Sequence, residues 1–507
     1  MLFSGDRKVD YASLEKTIAK AITGFAKLGL RPGSAVALML RNDIAFFEAA
    51  AAINGAGANT VPINWHLKAA EAGHILRDSG ASALVCHRDL LPQIAGEVPR
   101  GLPTFIVETP PEIARAYNTG PAPNIDQIES LPWSEWVQTH QPSEAPQGRG
   151  GSMIYTSGTT GTPKGVVRPR PGPAQLAAMD RVSAITYGLK PDDDIVVLMN
   201  GPMYHSAPYS YAMLAFRHRC SIVLQPRFEP EDLLRLIEKH RVTHMHMVPT
   251  MFVRLLRLPD EARRRYDLSS LRFVVHGAAP CPPEVKQAMI RWWGPVINEY
   301  YGSTETGIPV WHSSEEALRK PGTVGRVIEG GIVRIFDPEG RALPPGEIGE
   351  IYVRQTALLD FTYHGNAAAR AEVGREGLVT VGDVGYLDED GYLFLSDRKR
   401  DMVISGGVNI YPAEIEAVLI TMPGVRDCAV FGIPDEEYGE RLCACIEAET
   451  GSSIDAAAVQ EFIGTRLANY KVPRLVRFLD ALPREDSGKI FKRRLREPYW
   501  QGRTRQT

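Results

Sequence analysis

Between residues 221 and 298 the chain alternates short apolar runs with helical runs, and this pattern limits the fold more than any other feature. Ser221 to Leu224, Val242 to Val248, Leu271 to His276 and Pro295 to Asn298 read as strands. Pro230 to His240, Thr250 to Leu258 and Pro282 to Trp293 read as helices. Strands joined through helices make right-handed crossovers, so the expectation is an α/β chain with a mostly parallel sheet covered on both faces. Ligands of such sheets gather at the carboxyl ends of the strands. Similar signals begin earlier, with a helix from Asp10, a strand over Ser34 to Leu40, a helix over Ile44 to Ala52, and strands at Val61 to Asn64 and Ala83 to Cys86. Residues 108–150, rich in proline and polar side chains, read as an irregular surface connection. The proline- and arginine-bearing stretch 166–180 reads as a mobile basic lip.

After Thr323 the texture changes to hairpins, with turns at Asp337-Pro338-Glu339-Gly340 and Asp388-Glu389-Asp390-Gly391. The charged connector 396–401 then leads into a small α+β unit whose first helix starts near Pro412. The expectation is a large N-terminal domain of doubly wound sheets plus a β-rich subdomain over residues 1–399, and a small mobile C-terminal domain over 400–507.

The 507 residues allow about three domains or one large one with an appendage. A net charge of −3 offers no basic field for nucleic acid. Six cysteines lie scattered without a disulfide framework or paired zinc spacing, which fits a reducing cytoplasm. Cys443 and Cys445, two apart on a strand, would share one buried face. The longest charge-free run, Ala49 to Leu67, is broken by Asn54, Gly55, Gly57, Asn59, Pro62 and Asn64, so no membrane span is expected. No heptads or repeats specify an oligomer.

Chemistry concentrates in a few loops. Tyr155-Thr156-Ser157-Gly158-Thr159-Thr160-Gly161-Thr162-Pro163-Lys164-Gly165-Val166 follows an apolar strand end. Its glycines let backbone N–H groups approach an anion, its hydroxyls donate, and Lys164 adds a positive charge, so it reads as a phosphate cradle. It is not the Walker pattern, because Lys164 is followed by glycine rather than by Ser or Thr. Asn298-Glu299-Tyr300-Tyr301-Gly302-Ser303-Thr304-Glu305-Thr306-Gly307 offers an aromatic face, hydroxyls and a carboxylate directly after a strand, a set suited to a nucleotide with Mg²⁺. Tyr301 can stack on adenine, Thr304 can bond a phosphate oxygen and Glu305 can hold the metal. Asp383 can accept both hydroxyls of a ribose, and Arg398 adds a donor fork.

These loops together resemble the adenylate-forming superfamily of acyl-CoA synthetases, nonribosomal peptide adenylation domains and luciferases, and among them most resemble the AMP-forming acyl-CoA synthetases. The resemblance runs through the whole chain, which starts almost at the first helix without the usual leading segment. It implies an ATP-dependent carboxylic acid:CoA ligase working through an acyl-adenylate, with ATP, Mg²⁺ and coenzyme A. Its catalytic residues would be Lys489, in Pro483 to Lys492, with Thr304, Glu305 and Lys164. The nucleotide would be held by Thr156 to Gly161, by Gly277, Ala278 and Ala279, by Glu299 to Thr304, and by Asp383, Leu395 and Arg398. The resemblance places a hinge at Arg400 and a coenzyme A surface at Gly406, Gly407, Tyr438, Tyr470 and Arg474. Lys492 and Arg493 would be merely solvated. The acyl pocket would be lined by Tyr204, His205, Val275, His276 and Ile308, which points to a medium- or long-chain fatty acid or an aromatic, aryl-alkanoic acid. His244 and His246 are expected to pack structurally. The competing readings are transfer to a carrier protein, a luciferase-like oxygenase, and a non-catalytic CoA-binding protein.

Overall fold

The computed structural model describes residues 1–120, 128–142, 149–156, 163–190, 194–399, 401–406, 408–484 and 490–501. Five parallel strands, Ser221–Leu224, Val196–Met199, His244–Met247, Phe273–His276 and Ile297–Ser303, lie side by side in that order. Their connecting helices are Ser206–Arg217, Pro230–His240, Pro249–Leu256 and Pro283–Trp293. Each of the last three carries proline in its first turn, where the missing N–H costs no hydrogen bond. A second parallel sheet has the order Asn59–Pro62, Ala35–Met39, Ala81–His87, Thr104–Val107, Ser130–Pro132.

Alternation along each strand sorts the side chains into two layers. Val197, Ile222, Leu224, Val275 and Tyr300 join Val36, Leu38, Val85 and Phe105 of the second sheet in one buried layer, which includes residues of the helices Ile44–Gly55 and Ser206–Arg217. Leu198, Val223, Met245, Val274 and Ile297 pack on the opposite side against Leu233, Phe252 and Met289.

The hairpins expected after Thr323 extend the first sheet. Ile297–Ser303 pairs antiparallel with Gly307–His312, and the sheet continues through Thr323–Val327, Tyr392–Arg398, Asp383–Leu387 and Gly349–Gln355. A separate C-terminal sheet begins at Val403–Ser405 and contains Val408–Ile410, Gly439–Ala448, Val425–Asp435 and Leu475–Phe478. Cys443 and Cys445 do share a buried face there, with Phe431 and Leu482.

Three readings of the sequence are corrected. Residues 108–150 are not all irregular surface: they contain the helices Pro111–Tyr117 and Trp133–Gln138 and the strand Ser130–Pro132. Trp136 packs 4.2 Å from Phe105 and 5.2 Å from Phe25, so two tryptophans anchor a segment whose polar composition hid them. Within 166–180, the helix Pro173–Tyr187 begins, and Arg168 and Arg170 are tied to backbone carbonyls. Lys492 is not simply solvated, because its amino group sits 2.8 Å from Glu416 with both side chains largely covered.

Trp136→Ala should cost about 3–5 kcal/mol, as expected when a large buried aromatic is removed. A urea titration followed by tryptophan fluorescence would measure it, and Trp136→Phe should retain most of the stability.

Candidate active site

The loop after Ile297–Ser303 is folded on itself by side-chain hydroxyls. Ser303 N–H donates to Thr306 Oγ1 at 2.9 Å, while the Thr306 and Glu305 N–H groups donate to Ser303 Oγ at 3.1 and 3.2 Å. A Cβ on Gly302 would lie 2.1 Å from the Gly307 carbonyl oxygen, so the turn closes only on glycine. The result presents Thr304 and Glu305 at the carboxyl end of the parallel sheet. Thr304 Oγ1 donates to Ser206 Oγ at 2.8 Å, at the start of the helix Ser206–Arg217.

Thr156, at the edge of the phosphate-cradle loop, donates to Glu305 Oε1 at 3.1 Å. The Tyr363 hydroxyl reaches the same oxygen at 3.4 Å, and the ring of Tyr363 lies 5.3 Å from the Lys164 ammonium. Thr156 and Tyr363 thereby converge on the Glu305 carboxylate, with Lys164 against the Tyr363 ring and Thr304 preceding Glu305 in the loop. Ser157, Gly158, Thr159, Thr160 and Gly161 lie outside the described residues, as do Arg400, Gly407 and Lys489.

Arg168, not singled out in the sequence as a site residue, braces this loop. Its guanidinium donates to the carbonyls of Thr304 and Glu305, each at 2.8 Å, and to Leu359 at 2.5 Å. Burial pushes it down to about 10. Nothing in its local pattern distinguishes it from a surface arginine, since its partners are backbone atoms remote in sequence. Tyr363 was missed because its partners, the Glu305 carboxylate and Lys164, are likewise remote in sequence.

A second group lies beside it. Asp383 and Arg398 face each other across paired strands, 3.2 Å apart at Oδ1 and Nε. The Tyr301 hydroxyl donates to Asp383 Oδ2 at 2.8 Å, which fixes the ring that was expected to stack on adenine. Leu395 pairs with Gly385 farther along the same two strands, past a register shift. Gly277 is buried and in contact with the Tyr300 ring, whereas Ala278 and Ala279 are exposed. Ala278 holds φ at +65°, in the left-handed region that costs a residue bearing Cβ.

Two expected contacts are corrected. Alternation along Ile297–Ser303 turns the Glu299 carboxylate away from the loop into a buried cluster, where it accepts from Lys286 and lies 2.9 Å from His312 Nε2. Only the backbone of Glu299 remains for a nucleotide. His276 likewise points away from Val275: it packs 5.1 Å from the ring of Phe252, on the layer opposite the expected acyl wall. Burial pushes its imidazole down to about 3. The polar character it was expected to lend the acyl wall is therefore absent from its ring. Tyr204 is buried edge-on to Trp65 at 4.4 Å, and His205 precedes the helix Ser206–Arg217 as its N-cap. Val275 and Ile308 do join one layer.

In the C-terminal domain, the Gly406 N–H donates to the Tyr438 carbonyl at 2.8 Å, and Arg474 lies 5.2 Å over the Tyr438 ring. Tyr470 is exposed on the same domain, with Lys471 against its ring. For Mg²⁺, the described residues contain no cluster of three or more His, Cys, Asp or Glu side chains. One carboxylate with neighbouring hydroxyls fits an ion that takes most of its ligands from phosphates and water.

Two outcomes follow from this geometry. Arg168→Ala should lower kcat/KM for ATP-dependent turnover by about two orders of magnitude, because buried carbonyls lose charge-assisted donors. Arg168→Lys should recover little, lacking the fork, and pyrophosphate exchange measures both. For Glu299, burial favours the protonated form, but Lys286, His276 and His312 outweigh it and hold the carboxyl well below its ordinary 4.5. The unfolded chain therefore takes up a proton that the folded chain refuses. This stability is fully present above the ordinary value and is lost as pH falls below it. Thermal midpoints across an acid series should show the decline, and joint replacement Lys286→Met with Glu299→Leu should flatten it.

Comparison with known proteins agrees with this arrangement. The model of the AMP-binding enzyme family matches residues 1–360, and that of the AMP-binding enzyme C-terminal domain matches 414–489. A feruloyl-CoA synthase from Amycolatopsis is 34% identical over 98% of this chain and 95% of its own. A long-chain-fatty-acid–CoA ligase, FadD13, from Mycobacterium tuberculosis is 32% identical over 98% of this chain and 94% of its own. The crystal structure of the anthranilate CoA ligase AuaEII with anthranoyl-AMP has a TM-score of 0.83 at 26% identity, covering 98% of this chain and 93% of that one. With both family models matched and relatives of this kind covering nearly the whole chain, the chain belongs to the AMP-binding enzyme family, the adenylate-forming superfamily, and stands in it with the AMP-forming acyl-CoA synthetases.

Proposed function

We propose that this chain activates a fatty or aromatic carboxylic acid and delivers it to coenzyme A, using one site for two successive reactions. The observation that carries the proposal is the convergence of Thr156 and Tyr363 on the Glu305 carboxylate, with Lys164 against the Tyr363 ring and Thr304 next to Glu305 in the loop, beside the Asp383–Arg398 pair. In the first reaction a substrate carboxylate oxygen attacks the α-phosphorus of ATP. The bond to the β-phosphate oxygen breaks, and pyrophosphate leaves. Thr304 donates to a phosphate oxygen, Lys164 balances charge on the leaving group, and Asp383 orients the ribose. Glu305 and Thr156 would hold Mg²⁺, which when bound supplies charge neutralisation at the phosphates. Lys489, from the C-terminal domain, bridges the carboxylate and the α-phosphate as charge moves between them. Placing the lysines on two domains means closure completes the site and shields the adenylate from water.

In the second reaction the coenzyme A thiolate attacks the acyl carbon and AMP departs. The proposal has the C-terminal domain turn about Arg400, withdrawing Lys489 and presenting Gly406 and Gly407 to the thiol arm, with Tyr438, Tyr470 and Arg474 toward the nucleotide end. The domain boundary is placed at 399 and 400 for the same reason. The acids named for its relatives, feruloyl, long-chain fatty and anthranilate, support a fatty or aryl substrate over a two-carbon acid.

A panel of carboxylic acids tests this directly. AMP and thioester should form only when acid, ATP and coenzyme A are all present. Lys489→Ala should lose adenylate formation by about a hundredfold or more while still converting supplied acyl-AMP and coenzyme A to thioester. Equal loss of both steps would refute the alternating roles.

A further inference from the structure

The chain runs into residues 485–489, which include Lys489, from Arg484 and leaves them at Ile490, and these two flanking residues face each other as an antiparallel bridge. One residue farther out on each side, the Phe491 N–H donates to the Pro483 carbonyl at 2.8 Å. Leu482 is buried with Phe431, Cys443 and Cys445, Ile490 packs against them, and the Leu482 N–H donates to Glu447 at 2.9 Å. The two sides of the stretch are therefore closed on each other and seated on the C-terminal sheet.

Each side also carries an anchored cation. The Arg484 guanidinium grips Asp427 with two prongs, Nε to Oδ2 at 2.5 Å and Nη2 to Oδ1 at 2.6 Å. Lys492, three residues beyond Lys489, sets its amino group 2.8 Å from Glu416 Oε1. That oxygen also accepts from the Val430 N–H at 2.6 Å, so Glu416, on the helix Pro412–Leu419, is fixed against the strand Val425–Asp435, which carries Asp427. Both anchors thus lie on one helix and the strand bonded to it. A covered ion pair adds little net stability over apolar side chains of the same volume, but it is directional and is satisfied in one arrangement. Two such pairs, one on each side of Lys489, fix the direction of the stretch as well as its place.

We propose that Lys492 and Arg484 are positioning residues that aim Lys489, acting through Glu416 and Asp427, and that they serve the adenylate-forming step alone. This rests on the role proposed above for Lys489. A lysine that bridges two groups as charge moves between them works only when placed to within a fraction of an ångström, and a misplacement of about 1 Å can cost about a hundredfold in rate. Gly406, on the surface proposed for coenzyme A, follows a different strand, Val403–Ser405, so the thioester step does not draw on these anchors.

The test uses the full chain, with whichever of ferulate, benzoate and dodecanoate releases AMP fastest as the acid. Lys492→Met should lower kcat for adenylate formation, followed by pyrophosphate exchange, by about tenfold to a hundredfold and leave KM for ATP and acid within about twofold. Conversion of the supplied acyl-AMP and coenzyme A to thioester should stay within about twofold, and Lys492→Arg, which keeps a cation for Glu416, should recover most of the lost rate. Arg484→Gln should show the same split between the steps, and it decides the matter if Lys492→Met loses its cooperative thermal transition. Proportional loss of both steps, a change confined to KM, an unaltered first step, or loss of the thermal transition in both variants overturns the inference. Lys489→Ala, assayed alongside, separates the two failures. If it alone is selective for the first step, only the positioning role falls; if it retains adenylate formation, or if none of the three acids releases AMP, the proposed function fails and this inference with it.

Discussion

The contact between Lys286 and Glu299 is the interaction on which the site's architecture depends. Both are buried, on the helix Pro283–Trp293 and the strand Ile297–Ser303, and His312 on the next strand completes the cluster. A buried pair is not stabilising in net terms merely by existing, but losing one partner strands a charge and costs about 3–5 kcal/mol. The pair therefore fixes the one strand from which the chemistry extends. With Glu299 pinned to one layer, alternation sends Tyr300 into the other, and Tyr301 reaches Asp383. Thr304 and Glu305 follow immediately in the glycine-closed turn. One strand thus sets the relation between Tyr300, Asp383 and the Glu305 carboxylate.

Much of this was legible in the sequence because it is local. The helix Pro230–His240 has the bounds its periodicity gave, and the parallel order follows from helix-linked strands. Phosphate-loop composition and the Thr304–Glu305 turn are also short-range patterns. What the sequence hid depends on distant partners. Arg168 sits in a proline-rich stretch that reads as a lip, and its role comes from carbonyls more than a hundred residues away. Trp133 and Trp136 lie in a polar segment, and only the second sheet's Phe105 gives them a core. His276 and Glu299 were readable in principle, since neighbours on a strand face opposite ways and Val275 and Tyr300 already occupy one layer.

The two domains also touch through groups near their junction. Asp397, at the end of the first sheet, accepts at 2.9 Å from the N–H of Ala413, at the start of the helix Pro412–Leu419. A carboxylate is favourable there because helix N-termini carry unpaired donors and positive potential. Arg496 lies 3.6 Å from Asp401, and Lys492 is drawn to Glu416. Of these three contacts only that of Asp397 crosses between the domains; the other two tie the C-terminal domain's first residues and first helix to its own last helix.

Arg257 makes the other link, donating at 2.8 Å to the carbonyl of Val425 and also to that of Arg426. Both acceptors are main-chain atoms, present whatever side chains the turn carries. Residues 425 and 426 can therefore change side chain without losing these two bonds, while the Glu449 carboxylate, 3.8 Å from the same guanidinium, adds a side-chain partner from the same domain. A small domain seated in this way can vary the side chains of that turn and keep the bonds that hold it in place.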